Sequence, residues 1–423
     1  MSTTRIKFDN GKVVSKDWLD AHPDAAQALL EKHKASYPVC LCNPEKALPL
    51  YIAQKTIFYL ARMPGTGDQH ASYCPFFGAP PAMSGLAVYR RSAIEEKDHD
   101  RVAVKLCDGL GVRATSAAGS GGRGRGSKQG SNPQRSRLSL RALLHYLWTS
   151  AEFNRWAPKM NGKRNYYVLY KYLMAAADHI EIQNTRLSAY LYMPEPFVFE
   201  EKQDIARRAQ QRLYHLLLDA GGRRKRMLVV GIVKRFTASP FGYGVHLKHA
   251  PPPLILWMKE DTLNNFLGEA GERLEDPNAL LGDTHHLVMI MTVDRTTNGN
   301  LSIVKAAAMK TTHAYIPFEN PYQVTLINAL MPSRLFSRQL RYDADGETIV
   351  PDFLLLDAGK QAVPMYVFGF RKQARQDAAI RAHIKHCEDT NEPCWFWDVL
   401  WDKTTYPDYP DAVDATESSR SLS

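Results

Sequence analysis

Between residues 138 and 178, apolar side chains recur at intervals of three and four. Leu140, Leu143, Leu144 and Leu147 predict one helix, with Ser139 as its N-cap, and Val168, Leu169, Tyr172 and Leu173 predict a second. The extended-looking stretch "RLSAYLYMPEPFVF" follows, and Lys159, Lys163, Arg164 and Lys171 lie among these elements, a layout that predicts a winged-helix-like module. "EKQDIARRAQQRLYHLLLDAGG" predicts a helix closed by Gly221 and Gly222. Alternation in "RMLVVGIVKRF" and "YGVHLKHAPPPLILWM" predicts strands, and Asn298-Gly299 predicts the turn of a hairpin in "HHLVMIMTVDRTTNGNLSIVKAAAMKT". Residues 138–315 are therefore a helical and then α+β middle region.

Further on, "PFENPYQVTLINALM" predicts a helix with Asn320 as N-cap and Pro321 at its first position, burying Tyr322, Leu326, Ile327 and Leu330. Strands are predicted at "LFSRQLRYD", "IVPDFLLLD" and "VPMYVFGF", then a helix at "QDAAIRAHIKHCED" and a last strand at "CWFWDVLW". The continuous apolar end of "IVPDFLLLD" suits a central strand covered on both faces.

Near the N-terminus the pattern is shorter and carries chemistry. Two strand-like runs, "LPLYIAQ" and "TIFYLARM", separate the pair Cys40 and Cys42 from the pair His70 and Cys74. A hairpin between them brings the four together, and the glycines of "PGTGDQH" relax the backbone beside His70. Three thiols and an imidazole are the donors of a structural tetrahedral Zn2+ site. Cys107 is an alternative ligand, while Cys387 and Cys394 read as core thiols. The bland alternative is reduced, unliganded cysteines beside a surface histidine. His246, His249, His285 and His286 lie on strand-like segments without compact ligand spacing and read as ordinary surface or core histidines.

Composition adds boundaries and partners. The stretch 115–137, "TSAAGSGGRGRGSKQGSNPQRSR", is a Gly/Arg-rich flexible linker with Arg123, Arg125, Lys128, Arg135 and Arg137 and no acidic residue. It is either a plain solvated linker or a tether that tracks nucleic acid. Residues 403–423 read as a disordered polar tail, and residues 1–114 as an N-terminal zinc-knuckle-like domain. The net charge of +10 over 423 residues favours a phosphate-rich partner, with DNA the first candidate. No apolar run of membrane length and no apolar leader is present, and six cysteines in a chain of this length point to a reducing cytoplasm without a membrane partner.

Two resemblances sharpen the picture. "CLC", "LYIA" and "ARMPGTGDQHASYCPFF", with "FNRWAPKMNGKRN" and "GYGVHLKH", resemble an uncharacterised proteobacterial family, domain of unknown function 1173. The resemblance covers most of the chain and implies a zinc-like N-terminal knuckle, a bacterial cytoplasmic setting and a mobile-element context, including other mobile-element proteins as partners. Helix, three strands, helix and strand is the order of the PD-(D/E)XK nuclease core, which residues 316–402 resemble. The expected architecture is thus α+β and multidomain, with a C-terminal α/β restriction-endonuclease-like core.

That second resemblance implies a Mg2+ site with Asp352 as one ligand, Glu319 as another and Lys372 as the positive group, Lys385 and Arg381 being alternatives to Lys372. A carboxylate is expected on the next strand, and the family resemblance implies Glu where this chain has Tyr366. A phenol is a poor Mg2+ ligand, so cleavage is expected to be impaired or lost. Asp357 is expected to lie about 16 Å from Asp352 along a straight strand, too far to share its ion. Otherwise Pro351-Asp352 is an ordinary loop-to-strand turn. The runner-up is a non-catalytic, zinc-stabilised interaction protein of an integrative or conjugative element.

Overall fold

A computed structural model describes residues 4–54, 57–63, 65–98, 101–110, 135–217, 226–269, 276–345, 348–369 and 374–413. Arg123, Arg125, Lys128, Lys372, Gly221, Gly222 and the tail beyond 413 lie outside these residues.

The first sheet is built from β1 (Arg5–Lys7), β2 (Val13–Ser15), β3 (Val39–Cys40), β4 (Leu48–Gln54) and β5 (Phe58–Arg62), in the order β2-β1-β3-β4-β5. Between β2 and β3 run α1 (Lys16–Ala21), capped by the Ser15 hydroxyl on Trp18 N, and α2 (Pro23–Lys32), whose Ala26, Leu29 and Leu30 face the sheet core.

From here the packing departs from the expected segments. β6 (Ile94–Asp98) and β7 (Arg101–Val104) belong to the expected N-terminal domain, yet they form a sheet with β9 (Ile180–Ile182) and β10 (Thr185–Arg186) of the middle region. Leu106, Leu110 and Leu138 join one core with α3 (Leu140–Ser150) and α4 (Tyr166–His179). The expected linker ends before its last residues. Arg135 N donates to Val88 O at 2.7 Å, Arg90 N donates to Arg135 O at 2.9 Å, and Arg137 donates to Leu106 O at 3.3 Å.

Ser139 caps α3 as its sequence predicts, accepting from Ala142 N at 3.1 Å. The two helices do not form a winged-helix module. Leu143, Leu144, Leu147 and Trp148 of α3 are buried against a large central sheet, and Arg164 is spent inside, donating to Phe153 O and Ala314 O. The chain passes through β8 (Arg155–Trp156) before α4, and through β11 (Leu191–Tyr192) and α5 (Lys202–Leu217) after β10.

The central sheet then follows, with β12 (Met227–Ser239), β13 (Gly242–Leu247), β14 (Leu256–Met258), α6 (Glu260–Glu269), β15 (His286–Arg295), β16 (Leu301–Thr311) and β17 (Pro317–Phe318). β15 and β16 form the expected hairpin, with Gly299 at φ +83° in its turn. β12, β15 and β16 lie between two cores. Val230 and Ile290 face α3 and α4, while Val229 and Met291 face the side covered by α6, a consequence of strand alternation.

The C-terminal elements match the expected order: α7 (Pro321–Leu330), β18 (Phe336–Arg338), β19 (Phe353–Leu355), β20 (Val363–Phe368), α8 (Ala374–Thr390) and β21 (Trp395–Asp398). Asn320 caps α7 through Gln323 N at 3.0 Å, and Leu326, Ile327 and Leu330 are fully buried. The sheet order is β21-β20-β19-β18-β8, antiparallel except for the parallel β20–β21 pair. β8 supplies a fifth strand from far outside residues 316–402, because Trp156 pairs with Phe336 and fills the same core. Residues 403–413 are not a loose tail. Tyr406 and Tyr409 pack on this core, Trp395 Nε1 donates to Asp408 O, and Val413 N donates to Asp357 O at 2.8 Å. Aromatic rings bury enough area to offset the ordering of a short polar segment.

Candidate functional site

Cys40 ends β3, held in register by Ile6 on one side and Leu48 on the other. Cys42 lies just beyond. The β4–β5 hairpin returns the chain to a loop closed at its neck by Gly67 and Gly78. Gly78 N donates to Gly67 O at 2.9 Å, and a Cβ on Gly67 would meet Gly78 Cα at 3.0 Å, so the two backbones touch in a way side chains would resist. That loop carries His70 and Cys74. It is tied to the first pair through Asn43 Nδ2 to Gln69 O at 3.2 Å and Tyr73 Oη to Cys42 O at 3.3 Å.

The four side chains converge. Cys40 Sγ lies 3.7 Å from Cys74 Sγ, and His70 Nδ1 lies 3.3 Å from Cys42 Sγ and 3.7 Å from Cys74 Sγ. All four ligand atoms fall within 4.8 Å of one another, and all four residues are buried. With metal–sulfur bonds of about 2.3 Å, a tetrahedral shell has edges of about 3.7 Å, so the donor set and spacing fit a metal ion. The group could hold a metal, and among the described residues it is the one such His/Cys/Asp/Glu group. Cys107 is exposed and takes no part.

Proton sharing within the cluster is uneven. The Cys42 thiolate is strongly favoured by hydrogen bonds from Cys40, Cys74, His70 and the Ala71 N–H. The same contacts, seen from Cys40, push its thiol up, and burial pushes Cys74 up to about 12. Three thiols beside one another cannot all ionise without a cation. His70 Nε2 is buried without a hydrogen-bond partner, and the ring is oriented by its Nδ1 contacts to Cys42 and Cys74 and by packing on Phe76.

The centre is bolted to the C-terminal sheet. Arg155 of β8 donates to Cys74 O at 2.9 Å, Phe77 O at 3.3 Å and Pro75 O at 3.4 Å. The Ser72 hydroxyl reaches Leu356 O and Gly359 O at 2.8 Å each, and Ser72 N donates to Lys360 O at 3.1 Å. The loop carrying His70 and Cys74 thus contacts both β8 and the β19–β20 connection.

The carboxylates expected to hold Mg2+ form a different kind of site. Asp352 Oδ1 accepts from Gln323 Nε2 at 2.5 Å, and Oδ2 accepts from Val367 N at 2.7 Å. Arg338, only 1% exposed, lies 3.8 Å from Asp352 Oδ1 and 3.9 Å from Glu319 Oε2. It also donates to Asp352 O at 2.7 Å. Burial raises the Asp352 pKa, with Arg338 and the Val367 N–H opposing. The guanidinium lies within ion-pair reach of both carboxylates.

Tyr366 does not face this cluster. Phe353 is registered with Met365, yet Asp352 N also donates to Met365 O, so two residues oppose one. Such a bulge shifts the side-chain alternation. The Asp352 carboxylate turns toward α7, while the Tyr366 hydroxyl meets His383 Nε2 of α8 at 3.0 Å. A carboxylate at position 366 would point at α8, which corrects the expectation that Tyr366 stands in for a metal ligand. Lys372 lies outside the described residues. Arg381 pairs with Asp398 at 2.6 Å, and Lys385 is exposed on α8, so the positive group beside Asp352 is Arg338. Asp357 is engaged elsewhere, in a two-toothed pair with Arg334.

A family described as protein of unknown function, DUF1173, matches residues 14–400. The chain belongs to the DUF1173 family. The match spans the Cys/His centre, Arg338 and Asp352, and ends before the packed segment 403–413. No curated protein and no solved structure matches the chain significantly.

The remaining candidates of this DUF1173 chain are structural. His249 stacks on Tyr166, with centroids 3.8 Å apart, and accepts from Phe197 N at 3.1 Å. His246 meets the Thr237 hydroxyl, and His285 meets Leu280 O. His286 lies against His313 and Tyr315, and its pKa falls to about 4 through burial and Lys248. Among the described residues, no helix is long and apolar enough to cross a membrane.

Proposed function

We propose that this DUF1173 protein is a DNA-binding, nuclease-like protein whose fold is fixed by one structural zinc ion and whose phosphodiesterase site has lost its chemistry. The observation that carries the reading is Arg338, a buried cation between Asp352 and Glu319. The αβββαβ order with a parallel last strand supports a PD-(D/E)XK-like core. In such a core, Asp352 and an acidic partner would hold Mg2+, the ion that would supply water activation and offset phosphate charge. Here a fixed guanidinium within ion-pair reach of both carboxylates offsets one of their two charges, so a divalent ion gains less by entering and meets like charge. Asp352 then holds Gln323 and the Val367 N–H, which makes it a structural anchor between α7 and β20.

Zinc is the ion the three thiols and Nδ1 of His70 would select, since soft donors in a tetrahedral shell favour it over Mg2+ or Ca2+. Zn2+ with three thiolates would leave a net charge of −1, which the half-buried Arg155 guanidinium complements. The free state of all six cysteines supports a reducing cytoplasm. The net charge of +10 supports binding to the phosphate backbone, and the family resemblance supports a mobile-element setting.

The test is duplex binding by fluorescence anisotropy against salt, with cleavage measured alongside in Mg2+ and Mn2+. Binding should weaken steeply with salt, with no cleavage in either metal. Metal-dependent cleavage lost on Asp352→Asn would defeat the inactive-site reading, and absent binding at low salt would defeat the DNA reading. The second reading, a zinc-stabilised interaction protein, is favoured by one observation: Leu400 and Trp401 are 62% and 87% exposed beside an open cleft.

A further inference from the structure

The central sheet closes on itself. From β12 the pairing runs through β13, β14, β16 and β15 and back to β12, antiparallel throughout except for β14 with β16. α6 lies between the third and fourth of these strands in the chain and sends Leu263, Phe266 and Leu267 into the enclosed core with Val245, Leu256 and Met289. A five-stranded Greek-key barrel of this kind has the topology of the OB-fold, which binds oligonucleotides and oligosaccharides on its second and third strands and on the turns after its first and fourth. We infer that here the outer face of β13 and β14 binds single-stranded nucleic acid, with bases stacked on Trp257 and Phe241 and phosphates held by Lys234, Arg235 and Arg295. The inference rests on the nucleic-acid reading above and narrows it to unpaired strands.

Topology assigns no ligand by itself, so the residues must carry the claim. α3 and α4 cover the outside of the barrel at β12, β15 and β16, through Val230, Ile290 and Met309, and no residue of β13 or β14 joins that core. With Val245 and Leu256 pointing in, alternation turns His246 and Trp257 out. Gly244 is registered with Trp257, and a Cβ there would meet the Trp257 ring at 3.3 Å, so the glycine lets the indole lie against β13. Phe241, at the tip of the β12–β13 turn, is 87% exposed. The bulge in β12 between Val233 and Arg235 sets both Lys234 and Arg235 outward, since Val233 and Phe236 point in.

Charge selects between the two ligand classes. His246 has its pKa lowered by burial and then by Arg235 and Lys234, so both cations stand beside it on this face. Arg295 lies along the β15–β16 turn, its guanidinium 3.6 Å from where a Gly299 Cβ would sit. Among the described residues, none of these three cations pairs with a carboxylate. Of the acidic residues around the barrel, Asp276 accepts from Asn278 N and Nδ2, and Asp294 pairs with Arg226. Glu260 and Asp261 open α6, where they complement its N-terminal N–H groups. Asp283 sits with Lys248, His286 and His313 at the neighbouring edge. An uncharged oligosaccharide would gain nothing from the cations, whereas each phosphate contact releases counterions. Stacking on Trp257 and Phe241 needs the open face of a base, which a duplex hides.

Fluorescence anisotropy on the full chain tests this, with an oligothymidylate of about 15 nucleotides, within the span of one such barrel. It should bind about tenfold more tightly than a duplex of equal length. Phe241→Ala and Trp257→Ala should each weaken it about tenfold, and Trp257→Phe should keep most of it. Lys234→Ala with Arg235→Ala should flatten the slope of log Kd against log salt by about 1.4. Phe241 is on the surface, so its variant should fold, and circular dichroism checks the others. A duplex bound as tightly as the single strand, or single-strand binding indifferent to Phe241→Ala and Trp257→Ala, would overturn the inference. Duplex binding without single-strand binding would overturn it and leave the DNA reading standing. An oligouridylate bound in place of the oligothymidylate, with the same response to the variants, would uphold it and defeat the DNA reading.

Discussion

The Cys/His centre and the carboxylate cluster solve the same electrostatic problem in opposite ways. Each gathers ligand atoms that repel one another when ionised, the first fully buried and the second at the protein's edge, where Glu319 is exposed. At Cys40, Cys42, His70 and Cys74 nothing positive enters the space between the donors, and the atoms stand at the edge lengths of a metal's shell. At Asp352 and Glu319 the cation is Arg338, delivered by β18 and 1% exposed. A thiol cluster that lacks its own cation needs an ion from outside. A carboxylate pair that carries one has half of its charge met already.

Breaking the first region should have the largest effect. Cys42→Ala, or chelation of the wild type, should remove the metal and unfold the sheet β1–β5, because structural zinc contributes on the order of 10 kcal/mol to small domains. Metal content and thermal melting check it together. Next comes Arg338→Met, which strands Asp352 and should cost about 3–5 kcal/mol in chemical denaturation. Adding Asp352→Asn should recover part of that loss; if the double variant is no more stable than the single one, the pair is not the partnership described.

A smaller effect follows from His145. Burial lowers its pKa from 6.5 to about 4, and its Nδ1 accepts from Tyr342 N, so the folded state holds it neutral. The unfolded chain takes a proton below 6.5 that the folded one refuses until about 4. Stability is full above pH 6.5 and falls by about 3 kcal/mol on acidification to pH 4. His145→Gln, which can still accept from Tyr342 N, should flatten that slope. Smallest is Ser72→Ala, which removes the hydroxyl from Leu356 O and Gly359 O and should cost about 1 kcal/mol. Hydrogen exchange should quicken between Phe353 and Phe368 if the His70–Cys74 loop braces that hairpin, and stay unchanged if it does not.

Much of the first region was legible in the sequence. Paired ligands on either side of a hairpin pattern are a local signal, and the hairpin does the rest. The C-terminal element order was legible too, since helix and strand periods and the Asn320-Pro321 cap are local. What was not legible depends on distant pairings. Arg338 in "LFSRQLRYD" reads like any strand arginine until β18 places it between Glu319 and Asp352. The bulge that turns Asp352 from Tyr366 leaves no mark in "VPDFLLLD". Trp156 in the fifth strand and Leu106 in the middle core are contacts across long stretches of chain, which hydropathy cannot report. The segment 403–413 looked disordered because its polar composition hides Tyr406 and Tyr409, whose burial needs a surface the sequence does not show.

The contrast between the two regions reduces to which of them takes up metal. Metal analysis of the purified chain, after equilibration with Zn2+ and Mn2+ together and removal of free ions, measures both at once. About one zinc per chain and no manganese is the predicted result, with the zinc lost in Cys42→Ala and unaffected by Asp352→Asn. A chain that retains manganese until Asp352 is replaced, or that holds no zinc, would contradict it.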